Sequence, residues 1–186
     1  MRKDIVESIS VNNYKVEVER RGFRFKIKIT KDDKSLEREF KISKRIKVKL
    51  EGNTIILESK NATKKEKKII KTIKSHIKNM LKGLEKGWVY KLEICYSHFP
   101  ISVSIDNQNK QIVIKNFFGE KKPRYAKLLD GVDVEIKGNI IEVKSHDKEL
   151  AGMQAALIEN ATRITKRDRR IFQDGIWIIE KAGKPV

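Results

Sequence analysis

The chain has 186 residues, enough for one or two compact domains. Apolar residues make up 39% and charged residues 37%, and 43 Lys plus Arg against 25 Asp plus Glu give a net charge of +18, so a folded core with a surface suited to polyanions is expected and a disordered basic tail is excluded. Apolar runs fall far short of the roughly 20 residues of a spanning helix, Met1-Arg2-Lys3-Asp4 opens no secretory core, and Cys95, the single cysteine, allows no internal disulfide, which predicts a soluble, non-secreted protein.

In chain order, strands are predicted at 14–19, 24–30 and 35–40, where apolar and charged residues alternate. Ile46-Lys47-Val48-Lys49-Leu50-Glu51 and Thr54-Ile55-Ile56-Leu57 flank Gly52-Asn53 and read as a hairpin, because such a pair tolerates the positive φ of a tight turn. A helix follows over 63–84, with Ile69, Ile70, Ile73, Ile77, Met80, Leu81 and Leu84 on one face and a Thr63/Glu66 capping box. Gly87-Trp88-Val89-Tyr90 then turns into a strand. The second half repeats this: strands at 101–105 and 112–117, a hairpin of 132–137 and 140–143 about Gly138-Asn139, and a helix over 147–164. That helix has Asp147 as N-cap and Leu150, Met153, Leu157, Ala161 and Ile164 on one face, and Gly175-Ile176-Trp177-Ile178 follows as a strand. Hairpin, helix, turn and strand recur 86 to 88 residues apart. The predicted fold class is α+β: two tandem duplicated domains, 1–94 and 95–186, each a small antiparallel sheet with one α-helix packed on one face.

Residues 1–94 carry 27 basic and 13 acidic side chains, net +14, against 16 and 12, net +4, in 95–186. Three clusters are candidates for RNA contact. On the first helix Lys71, Lys74 and Lys78, with Lys64, Lys67, Lys68 and Lys82, line the faces away from the Ile/Leu stripe; they suit phosphates, although such a comb taken alone is more often a solvated surface. Arg163, Lys166, Arg167, Arg169 and Arg170 end the second helix and fill the turn after it, with Asp168 the sole acid among them. Guanidinium groups in a loop grip phosphate in two-pronged fashion and stack on bases, and cations also stabilise a helix C-terminus. Lys121, Lys122 and Arg124 sit in a Gly- and Pro-punctuated loop after Phe117-Phe118, of which at least one ring is expected in the core.

Nothing in the sequence arranges a catalytic group. His76, His98 and His146 lack metal-ligand spacing, no phosphate loop, dinucleotide turn or nucleophile elbow occurs, and carboxylates are scattered; no cofactor and no metal is expected.

The segment Asn160-Ala161-Thr162-Arg163-Ile164-Thr165-Lys166-Arg167-Asp168-Arg169-Arg170-Ile171-Phe172-Gln173-Asp174-Gly175-Ile176-Trp177-Ile178-Ile179-Glu180-Lys181 resembles the C-terminal signature of the universal large-subunit ribosomal protein L-six family, L-nine in eukaryotic numbering. Arg167, Arg170, Phe172, Asp174 and Gly175 fit its spacing. Asn160 stands where the family usually has Gln, and Trp177 where it has Tyr or Phe. Ser75-His76-Ile77-Lys78-Asn79-Met80-Leu81-Lys82-Gly83, Tyr96-Ser97-His98-Phe99-Pro100-Ile101 and Asn116-Phe117-Phe118-Gly119-Glu120-Lys121 are similar to its eukaryotic and archaeal branch, while the N-terminal third matches more weakly.

The resemblance implies a non-catalytic, structural constituent of the large subunit that binds ribosomal RNA near the sarcin-ricin region and the base of the factor-binding stalk, chiefly through the second domain. It further implies neighbouring ribosomal proteins as partners, no membrane, no small-molecule substrate and a cytoplasmic location, with nucleolar assembly in a eukaryote. The alternatives are a free RNA-binding regulator and an RNA-processing enzyme using His76 or His98.

Overall fold

A computed structural model of the chain describes residues 3–165, 167, 168 and 170–186. It divides into two compact units, residues 1–86 and 87–186. The first runs β1 (Lys3–Ser10), β2 (Lys15–Arg21), β3 (Arg24–Lys31), β4 (Lys34–Lys41), β5 (Ile46–Glu51), β6 (Thr54–Ala62) and α1 (Lys64–Lys86). The second runs β7 (Trp88–Cys95), β8 (Ser102–Asp106), β9 (Gln111–Lys115), β10 (Arg124–Lys127), β11 (Asp133–Lys137), β12 (Ile140–Ser145), α2 (Lys148–Ala161), β13 (Gly175–Lys181) and β14 (Lys184–Pro185). The α+β duplication is as expected, with each unit carrying two antiparallel sheets, β1-β6-β5 and β2-β3-β4 in the first and β11-β12-β7-β13-β14 and β10-β9-β8 in the second.

The division falls between Lys86 and Gly87, not at 94/95 as the sequence suggested. The reason is β7: it hydrogen-bonds β12 on one side and β13 on the other, and so forms the middle of the second unit's larger sheet. Its counterpart in the first unit is β1, which pairs with β6 as β7 pairs with β12. The sequence reading passed over β1, and over the short strands β10 and β14.

Hydrophobic alternation builds both cores. In β3, Phe25, Ile27 and Ile29 are fully buried while Lys26 and Lys28 point the other way. They pack with Ile55, Leu57, Ile70, Ile73 and Ile77, so α1 buries the stripe its spacing predicts. Its capping box is formed: the Thr63 amide donates to Glu66 Oε2 at 2.9 Å, the Thr63 hydroxyl also donates to Glu66, and the Lys65 amide reaches Thr63 Oγ1 at 3.3 Å. Both hairpins turn where expected, with Gly52 at φ 54° and Gly138 at φ 60°, a region that only glycine enters at little cost.

The second core gathers Leu92, Ile112, Ile114, Phe117, Ile141, Val143, Ala151, Ala155, Ile158 and Ile176. Here α2 differs from expectation. The face it buries is Ala151, Gln154, Ala155 and Ile158, whereas Met153 is 55% exposed and Leu150 and Leu157 lie on the flank. Small residues let the helix sit close to the sheet: a Cβ placed on Gly152 would lie 3.1 Å from the Tyr90 hydroxyl. Gln154 is no loss to this face, since its carboxamide accepts from the Leu129 amide at 2.8 Å and donates to the Lys127 carbonyl at 3.1 Å. Asp147 caps α2 as expected, accepting from the Glu149 amide at 2.8 Å.

Candidate RNA interface

Three sequence stretches converge in the second unit: the β7–β8 connection, the β9–β10 connection and the segment between α2 and β13. The first is joined to the third at Asp174, which belongs to the third. Its carboxylate is buried and accepts four hydrogen bonds, from the Ser97 amide at 3.1 Å, the Ser97 hydroxyl at 2.8 Å, the His98 amide at 3.0 Å and His98 Nδ1 at 2.7 Å. Burial alone would raise its pKa, but the donors from His98 and Ser97 outweigh burial and hold the carboxyl well below the ordinary carboxylate range. For the ring contact to be a hydrogen bond, His98 carries its proton on Nδ1.

His98 in turn stacks on Phe172 with centroids 5.2 Å apart and lies tilted to Phe118 at 6.1 Å. Phe118 packs edge-on against Phe117 at 4.6 Å and Phe172 at 5.9 Å. Phe117 is the core ring of the pair, 1% exposed, and Phe118 is half-buried. The turn Phe117–Gly119 puts Asn116 at φ 61° and Phe118 at φ 52°, a conformation that costs free energy in a bulky residue and persists because the surrounding rings hold it. Asn116 is thus not the continuation of a strand, and the sequence-predicted strand over 112–117 ends at Lys115.

On this aromatic base lies Arg167. Exposed, it spans Phe172 and Phe118 with its guanidinium carbon 4.8 Å and 5.2 Å from their centroids. Arg163 and Arg170 are exposed on the same segment, and Lys121 and Lys122 on the β9–β10 connection. Lys166 and Arg169 lie outside the described residues. Between the two connections is a hollow of about 170 Å³ lined by Phe117, Phe118, Arg124, Ile164, Thr165 and Arg167, among others.

The segment is fastened at its ends. The Ile176 amide donates to Thr162 Oγ1 at 2.9 Å and the Trp177 indole to the Gln173 carbonyl at 2.8 Å. At Gly175 the backbone φ of 150° strains any side chain, while a Cβ would make only ordinary contacts, with Thr162 Oγ1 at 3.5 Å and the Trp177 ring at 3.4 Å. Asp168 shapes the turn, accepting from the Arg170 amide at 2.9 Å through its side chain and from the Phe172 amide at 2.9 Å through its carbonyl.

Arg124 is engaged within the protein. Its guanidinium donates to both Glu120 oxygens, at 2.8 Å and 2.6 Å, to the Ala161 carbonyl at 3.1 Å and to the Arg163 carbonyl at 3.4 Å, and lies 4.2 Å over Phe117. The Arg124 hydrogen bonds hold the Glu120 carboxyl below its ordinary pKa. Four donors spent internally leave this side chain to hold the two connections together rather than to reach a phosphate.

In the first unit, Lys71 and Lys78 are exposed on α1, whereas Lys74 is half-buried and forms an ion pair with Glu7 of β1. Arg38 donates to His76 Nδ1 at 2.7 Å, and the His76 ring leans on Phe40 at 5.5 Å. Of the comb read from the sequence, Lys64, Lys67, Lys68, Lys71, Lys78 and Lys82 are exposed, and Lys74 is the member paired with Glu7. What sequence reasoning missed is the Ser97–His98–Asp174 clasp; its only signals were a lone acid before Gly175 and a Ser-His pair 76 residues upstream of it.

A family model described as Ribosomal protein L6 matches residues 12–87 and again 99–175. The chain is 42% identical over 178 residues to the large ribosomal subunit protein uL6 of Desulfurococcus amylolyticus, covering 95% of each chain. It is 45% identical to the uL6 of Staphylothermus marinus over 83% of this chain and 84% of the relative, and 45% identical to that of Methanococcus vannielii over 75% of both. The two matched stretches are the two copies of the duplication, and the chain belongs to the Ribosomal protein L6 family, whose members are structural, RNA-binding constituents of the large ribosomal subunit in translation and not enzymes.

Proposed function

We propose that the second unit grips large-subunit ribosomal RNA near the sarcin-ricin region and the stalk base, in the cytoplasm. Arg163, Arg167 and Arg170, with Lys166 and Arg169, and Lys121 and Lys122 are the phosphate contacts, and Arg124 is a positioning residue. The observation that carries this reading is the convergence of two basic connections on one aromatic base locked by Asp174. The Arg167 guanidinium, already laid over two rings, loses little freedom on binding, and phosphate pairing then follows from charge. The exposed Lys71 and Lys78, with Lys74 beside them, serve a separate RNA segment or a neighbouring ribosomal protein.

The test is binding of the full chain to a ribosomal RNA fragment carrying the sarcin-ricin region, over a range of salt concentrations. Replacing Arg163, Arg167 and Arg170 together by Ala is expected to lower the slope of log affinity against log salt by roughly 2 to 3, since each phosphate contact contributes roughly 0.7 to 0.9. An unchanged slope overturns the placement.

A further inference from the structure

The duplication supplies an internal control for every surface of the first unit. The β2–β3 and β8–β9 hairpins are equivalent: beside each tip an amide just beyond the third strand donates to a turn carbonyl, Ile42 to Phe23 at 2.7 Å in one unit and Leu128 to Lys110 at 2.8 Å in the other. The tips differ in chemistry. Arg21, Gly22, Phe23 and Arg24, with the adjoining residues 41–45, hold five basic and no acidic side chains. The equivalent residues 106–111 and 127–131 hold two of each, Lys110 and Lys127 against Asp106 and Asp130.

One matched pair makes the contrast concrete. In the second unit Lys110 is neutralised by Asp130, 2.7 Å away. In the first, the place of Lys110 is taken by Phe23 and that of Asp130 by Lys44, whose ammonium stands 5.3 Å from the ring centroid. Phe23 is 56% exposed, out of the core to which the other aromatic residues of its sheet, Phe25 and Phe40, belong. The Arg21 and Arg24 side chains are 83% and 67% exposed. Their partners, Glu19 at 2.7 Å and Glu39 at 3.1 Å, are themselves about half exposed, and such surface pairs are weak enough for a phosphate to displace.

A large exposed ring at the end of a two-residue turn, between two arginines and under an ammonium group, has no role in folding that the equivalent tip does not fulfil without it. We propose that the β2–β3 tip is a second, independent RNA-contact site, in which Phe23 stacks on an unpaired base and Arg21, Arg24 and Lys44 hold the adjoining phosphates. Aromatic rings with interleaved cations suit single-stranded or looped RNA, because every base offers a π-face, whereas paired bases are already stacked. The inference shares with the proposed function the class of partner, and nothing else.

Binding of the full chain to a single-stranded uridine oligoribonucleotide and to an RNA duplex separates the outcomes. Phe23→Ala and Phe23→Leu are each expected to weaken single-strand binding about tenfold, a loss typical of one base–ring stack, and to leave duplex binding unchanged. Arg21→Ala with Arg24→Ala is expected to reduce the salt slope by roughly 1 to 2. Full binding by Phe23→Leu overturns stacking, since leucine keeps the apolar bulk without the ring. In purified large subunits, a photo-reactive phenylalanine analogue at position 23 is expected to cross-link to ribosomal RNA; cross-linking to a protein, or to nothing, overturns the proposal. The variant lacking Arg163, Arg167 and Arg170 tests the proposed function by itself, so either site can fail while the other stands.

Discussion

The two units are copies of one plan, and what distinguishes them is where charge is left unpaired. Residues 1–86 carry 26 basic and 12 acidic side chains, and 87–186 carry 17 and 13, so the first unit has by far the larger excess. A few of its cations are answered locally, Lys26 by Glu37 at 2.6 Å, Arg24 by Glu39 at 3.1 Å and Lys74 by Glu7. The second unit pairs its sheet face in the same way, Lys137 and Lys144 bracketing Glu135 at 2.9 Å and 3.0 Å and Lys91 joining Glu180 at 2.9 Å. It then concentrates exposed cations in two connections fixed to one aromatic cluster. Net charge measures attraction to RNA at a distance; preorganised cations determine where contact is made.

The units also differ at an edge. β13 covers the outer edge of β7, whereas no strand among the described residues covers the corresponding edge of β1. Each unit nevertheless has its own buried cluster, with no residue in common. The largest effect expected from breaking the comparison is therefore local collapse of one copy. Ile77→Ala and Leu92→Ala each remove a fully buried side chain and are expected to cost about 2–5 kcal/mol. Hydrogen exchange on the full chain should show accelerated exchange in residues 3–86 for the first and in β7, β12 and β13 for the second. Acceleration of both units by either substitution would mean that they unfold as one body.

A smaller effect is expected at the clasp. Asp174→Asn removes the charge that receives four donors and is expected to destabilise the second unit by about 2–3 kcal/mol, because buried donors are left poorly satisfied. The pH dependence has a definite sign. A carboxyl whose folded pKa is depressed contributes stability above its unfolded value of roughly 4, and loses it as pH falls from there toward the folded pKa. Thermal melts of the parent chain should therefore fall more steeply below about pH 4 than those of Asp174→Asn. Parallel curves would deny Asp174 this role.

How much of this was legible in the sequence follows from the range of the interactions involved. The two hairpins and α1 were legible because turn chemistry and periodicity act within a few residues. β1 was not, because Lys3-Asp4-Ile5-Val6-Glu7-Ser8-Ile9-Ser10 breaks strict alternation and becomes a strand by pairing with β6, some 50 residues away. The face of α2 was misjudged because Leu150, Met153 and Leu157 offer an apolar stripe as regular as that of Ala151, Ala155 and Ile158. Side-chain size decided between them, through the distance at which the sheet receives the helix. Composition gave Arg124 the same standing as Arg163, Arg167 and Arg170, since spent donors are visible only once Glu120, Ala161 and Arg163 are placed around it.

The two copies tie down their first connections at different places, the second just ahead of β13 and the first at the end of its helix. Where the second unit uses Asp174, the first uses Tyr14, whose hydroxyl donates to Glu85 at 2.7 Å and lies 3.3 Å from the Leu81 carbonyl, near the C-terminus of α1. Burial and the Glu85 carboxylate push its pKa up to about 12. A phenol whose folded pKa is raised contributes stability below its unfolded value of roughly 10, and loses it as pH rises through the folded one. Tyr14→Phe keeps the ring and deletes one hydrogen bond, so a loss of about 1 kcal/mol is expected, well below that of Asp174→Asn. Ultraviolet titration should show Tyr14 ionising near pH 12 and Tyr90, which burial also raises, ionising late as well, with the Tyr14 share of that late change missing in Tyr14→Phe. If the late change keeps its full amplitude in Tyr14→Phe, Tyr14 is not the late-ionising phenol; if Tyr14→Phe costs as much as Asp174→Asn, the first connection is tied down more firmly than one phenol–carboxylate bond accounts for, and the contrast between a loosely held copy and a locked one is lost.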